Sequence, residues 1–93
     1  MPDARILSLQ LVRAATSTGA NYRAACRARS RREFIARLGV VVEACDETLY
    51  WLELIRAAGV MEADGVTEME NEAEELLRVF VASIATAKAR SRG

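Results

Sequence analysis

The sequence predicts an all-α protein, an antiparallel up-and-down helical bundle forming one domain over residues 1–93. Three observations carry that prediction. Helix formers dominate: alanine, leucine, arginine and glutamate are abundant, Pro2 is the single proline, and glycine is rare. Apolar residues recur at three- and four-residue spacings along three segments. Two Ser/Thr-x-x-Glu boxes stand where helices should open. At 52% hydrophobic and 28% charged, the chain suits a folded domain with a small core.

The first helix is predicted over 4–28. Ile6, Leu9, Val12 and Thr16 form one stripe, and Leu7, Leu11 and Ala14 another. Gly19 interrupts it at a cost of about 1 kcal/mol relative to alanine, which points to close approach of a neighbouring helix. The second helix is predicted over 31–58. "SRRE" sets Ser30 three residues before Glu33 as a capping box. Ile35, Leu38, Val42, Cys45, Leu49 and Leu52 then follow at spacings of 3, 4, 3, 4, 3, the period of a bundle seam. Phe34, Val41, Thr48 and Ile55 add a second stripe, so this helix should meet more than one neighbour. Gly59 is placed to end it. "GVMEADGV" reads as a turn, and "TEME" as a second capping box opening a third helix over 68–89. Met69, Ala73, Leu76, Phe80, Ile84 and Ala87 are its expected core positions.

Net charge is zero, yet the charge is segregated. Eight arginines face two acids up to Val42. From Glu43 to Glu75 there are eleven acids and one arginine, Arg56, before four basic residues close the chain. Such polarity suits pairing between helices or between subunits. No apolar run approaches the roughly 18 residues of a membrane span, and no signal-peptide pattern opens the chain. Cys26 and Cys45 have neither CxxC spacing nor a histidine beside them. They read as small buried residues in a reducing, cytoplasmic setting.

Several kinds of chemistry are poorly supplied. A phosphate loop needs several glycines, or GK[ST] after a strand, and "TSTGANY" has one glycine inside a helical pattern. Glu43 and Glu47 share a helix face, but the absence of histidine leaves a Glu/Glu-x-x-His metal site incomplete. It also removes the commonest general acid and base. The expectation is a protein without enzymatic activity, metal or cofactor.

What remains is a basic run: Arg23, Arg27, Arg29, Arg31, Arg32 and Arg37 around the first interhelical turn. Arginine pairs well with phosphate, so RNA or DNA is one reading. The other is that these arginines are solvated or pair with Glu43, Asp46, Glu47 and Glu53, for instance Arg13 with Asp46 or Glu47. Gly19 and Asn21 are candidate packing residues, while Tyr50, Trp51 and Leu54 suit either core or interface.

From Ser8 to about Ala58 the chain carries an ordered set of elements: Gln10-Leu11 with Arg13, then Thr16-Ser17-x-Gly19-Ala20-Asn21-Tyr22. Ser30-x-x-Glu33-Phe34-Ile35 and Glu47-Thr48-x-Tyr50-Trp51-Leu52-Glu53 complete the set. In that order these elements resemble the 23S rRNA intervening-sequence protein family. The resemblance implies a left-handed four-helix bundle, assembly into rings, commonly pentamers, and no enzymatic activity. It also brings in the related accessory variability determinants of diversity-generating retroelements, which bind nucleic acid and a reverse transcriptase. Members carry a whole helix before the Gln-Leu segment. Here Met1 to Leu9 precede it, so the expectation is three helices on a four-helix plan with the first family helix missing. Two functions stand from the sequence: an oligomeric scaffold that binds nucleic acid, and a structural or protein-interaction module, an adaptor for a protein partner.

Overall fold

The computed structural model describes residues 3–92 and contains three helices among them: α1 (Ala4–Cys26), α2 (Arg31–Ala58) and α3 (Ala63–Arg92). The chain runs up, down and up as a rod of 49 × 19 × 17 Å. The central α2 packs against both neighbours, while the backbones of α1 and α3 stay apart.

Local chemistry sets the helix ends. Asp3 caps α1, its Oδ1 accepting the N–H of Arg5 at 2.7 Å and of Ile6 at 3.3 Å. Ser30 caps α2 as its box predicts, its Oγ accepting the Glu33 N–H at 3.0 Å. Glu33 reaches back one residue further than usual and accepts the Arg29 N–H at 2.8 Å. Gly59 ends α2 at φ +66°, a left-handed conformation that a Cβ disfavours.

The predicted start of the third helix needs correction. α3 begins at Ala63, so Gly65 and the Thr67/Glu70 box lie inside it. That box serves another purpose: the Arg56 guanidinium donates to Thr67 Oγ1 at 2.8 Å and pairs with Glu70. Val66, fully buried, supplies the reason for the early start, because it anchors the first turn of α3 in the core.

The core has two centres. Leu7, Leu52, Ile55 and Val66 gather towards the α2–α3 turn. Ala25, Leu38, Val41, Cys45, Ala73 and Phe80 gather towards the α1–α2 turn. The stripes differ from expectation at several positions. On α1 the buried residues are Leu7, Ala14, Thr18 and Ala25, leaving Ile6, Leu9 and Val12 exposed. On α3 it is Leu77 that packs inward, and Leu76 that faces out. α1 and α3 each have α2 as their one close backbone neighbour, so part of their apolar surface stays uncovered, whereas α2, with two neighbours, buries residues of both its predicted stripes.

Candidate nucleic-acid interface

The α1–α2 turn forms one pole of the rod. Arg23, Arg27, Arg29, Arg31 and Arg32 are all exposed there. The ion pairs among the described residues are Arg5–Asp3, Arg37–Glu33 and Arg56–Glu70. Arg37 is therefore held at 3.5 Å from Glu33, while the other five predicted arginines have no carboxylate of the described residues within ion-pair distance. The expected pairing of this run with Glu43, Asp46, Glu47 or Glu53 does not form, nor does Arg13 reach Asp46 or Glu47. The physical reason is register: those acids lie on exposed positions of α2, outside its α1-facing stripes.

A residue distant in sequence joins this pole. A cleft of about 720 Å³ is lined by Cys26, Ser30, Arg31 and Phe34 on one side and by Val79, Ser83, Thr86 and Arg90 on the other. A second, apolar cleft of about 350 Å³ nearer the opposite pole lies between Leu11, Val12 and Ala15 of α1 and Met69, Glu72 and Leu76 of α3. The two clefts lie along the groove between α1 and α3. The Tyr22 ring lies against Phe80, centroids 5.4 Å apart, and bridges the groove near its middle. A hydrogen bond with the Cys26 thiol raises the Tyr22 pKa, with the Cys26 charge and burial adding to it.

The remaining predicted site residues are scattered. Gly19 is exposed, and a Cβ built on it would meet nothing within 4 Å, so no neighbouring helix of this chain approaches it. Asn21 donates to the Ser17 carbonyl at 2.8 Å and to its Oγ at 3.1 Å, bonds within α1 itself. Tyr50 is exposed and meets Trp51 edge-on, ring centroids 5.1 Å apart. Trp51 and Leu54 are half-buried against the core centre at the α2–α3 turn, with Trp51 Nε1 donating to Glu47 at 3.2 Å. Cys45 is buried and its thiol pKa is raised, chiefly by desolvation and further by the Asp46 charge. Cys26 is exposed, contrary to the expectation of burial. No group of three potential metal ligands occurs among the described residues, and none of their helices is long and apolar enough to cross a membrane.

These features define an all-α protein with one basic pole and an open interhelical groove. The family model described as 23S rRNA-intervening sequence protein matches residues 3–82, and the chain belongs to that family. A crystal structure of a protein with unknown function from the S23 ribosomal protein family of Bacteroides thetaiotaomicron superposes with a TM-score of 0.82. That protein is 33% identical to this one over 85% of this chain and 73% of its own. No curated protein matches the chain.

Proposed function

We propose that this protein is a non-enzymatic, self-associating helical scaffold that binds RNA or DNA through its basic pole. The observation supporting this reading is the set of five exposed arginines without an acidic partner among the described residues. Guanidinium groups at one end of a rod neutralise phosphates and release counterions on binding. Base stacking has little to work with, because Tyr22 is already engaged with Phe80. The expected mode is therefore backbone recognition with weak sequence preference.

A filter-binding titration at increasing salt tests the reading. Affinity should fall steeply with salt. The Arg27→Ala/Arg31→Ala/Arg32→Ala variant should lower the log–log slope on duplex DNA by up to about 2.7, because each phosphate left unneutralised removes roughly 0.9. Arg37→Ala, already paired with Glu33, should change it less. No binding to RNA or DNA at low salt refutes the proposal. The adaptor reading draws on the exposed Tyr50 beside half-buried Trp51, an aromatic pair suited to a protein partner. Loss of a partner on Tyr50→Ala with nucleic-acid binding absent would favour it.

A further inference from the structure

The basic pole holds a cleft as well as charge. At about 720 Å³ it falls in the range of pockets that enclose a small organic ligand, roughly 300–1,000 Å³. Its walls come from distant parts of the sequence. α2 opens there with Arg31 and Phe34, and α3 passes it with Val79, Ala82, Ser83, Thr86 and Arg90.

Three kinds of surface meet in this cleft. Half-buried Phe34, with Val79 and Ala82, makes an apolar patch. Ser83 Oγ donates to the Val79 carbonyl at 2.8 Å, which leaves its lone pairs to accept. The Thr86 hydroxyl has no hydrogen-bond partner among the described residues, so it can donate or accept. Arg31 and Arg90 are exposed, and neither meets a carboxylate of the described residues.

An occupant has to match all three surfaces. A bare phosphate would leave the apolar patch wet, and a purely apolar ligand would leave the arginines and hydroxyls unused. A duplex offers phosphates to the arginines, but its bases stay paired and stacked. A nucleotide in a single strand has a flat apolar face, polar edges and an anion on each side. We propose that the cleft takes one unstacked base of single-stranded RNA or DNA, with Arg31 and Arg90 on the flanking phosphates. The inference rests on the nucleic-acid reading above and names the form of nucleic acid. It does not need the Tyr22 ring, because the base packs on Phe34, Val79 and Ala82 instead. Two hydroxyls satisfy an edge of any base, so sequence preference stays weak while strand state matters.

Fluorescence anisotropy at one low salt concentration tests this with single-stranded oligonucleotides, RNA and DNA in parallel. Each is compared with an abasic strand of equal length, which carries the same phosphates and no bases. The wild type should bind the intact strand at least about fivefold tighter, the low end of what contact with one base contributes. Ala82→Leu/Ser83→Leu fills the cleft without removing charge or adding a ring that could stack. It should bring the two affinities together, with circular dichroism confirming that it remains helical. Cys26 lines the same cleft and gives a readout that needs no variant. At equal saturation, the intact strand should slow its reaction with a maleimide more than the abasic strand does. No binding of any strand overturns the basic-pole reading and this one together. Equal wild-type affinity for intact and abasic strands, a filled-cleft variant that keeps the preference, or equal protection of Cys26 overturns base capture alone. So does a Cys26 thiol that is unreactive in the free protein, the result expected if another chain already covers the cleft.

Discussion

Leu38→Ala is the sharpest probe of how the three helices hold together. Leu38 is fully buried on α2, and its cluster draws on all three helices: Ala25 from α1, Val41 and Cys45 from α2, and Ala73 and Phe80 from α3. Burial of a leucine side chain is worth about 1.5–3 kcal/mol, and truncation also leaves a cavity, for a total of about 2–5 kcal/mol. The neighbours decide where in that range the loss falls. Ala25 and Ala73 carry only a methyl, with no rotamer that could swing into the gap, and their backbones are fixed in long helices. The expected loss is therefore about 3–4 kcal/mol, a large share of the roughly 5–14 kcal/mol available to a domain of this length. At about 4–8 °C per kcal/mol, the melting temperature should fall by well over 10 °C. Urea unfolding and a thermal melt, each followed by circular dichroism at one fixed protein concentration, read the two quantities. Leu77→Ala, half-buried beside the same cluster, should cost less. A Leu38→Ala loss below about 1 kcal/mol, at an unchanged m-value, would refute the two-centred core described above.

Gly59→Ala should destabilise by about 1 kcal/mol, because its φ of +66° is strained for any residue with a Cβ, although open space surrounds it; thermal melts would show it. The two thiols should differ in reactivity, with exposed Cys26 labelled rapidly by a thiol reagent and buried Cys45 only on unfolding. The Cys45 pKa is raised above its ordinary 9.0 in the fold, so the neutral thiol is the favoured form. Its contribution to stability is complete below that ordinary value and is lost as pH rises through the higher folded one. Tyr22, also raised, acts in the same sense at more alkaline pH. The urea midpoint should therefore drop above about pH 9, and drop less in Cys45→Ala.

Much of the architecture was legible in the sequence because helix signals are local. Ser30 with Glu33 marked the start of α2, and Gly59 its end, since capping and left-handed φ involve only neighbouring backbone. The early start of α3 was hidden for the complementary reason. Gly65 and the Thr67/Glu70 box looked like loop and cap, but burial of Val66 against Leu7, Leu52 and Ile55 outweighs local propensity. The six arginines were visible as a run, yet their state was not. Arg37 pairs with Glu33 at the i,i+4 spacing inside α2, whereas whether the other five meet acids depends on how α1 and α2 are rotated against each other.

By itself, the sequence determined the class and order of elements, the α2 boundaries and the segregation of charge, because periodicity, capping and composition act within a few turns. Only the tertiary structure decided which apolar positions the two outer helices would bury, whereas the central α2 buries residues of both its stripes. α1 and α3 each have α2 as their one close backbone neighbour, and packing around it chose Leu77 over Leu76 and Thr18 over Gly19. The same choice opened the groove between α1 and α3 and brought Arg90 to the basic pole beside Arg31, a juxtaposition across 59 residues of chain that no local signal records.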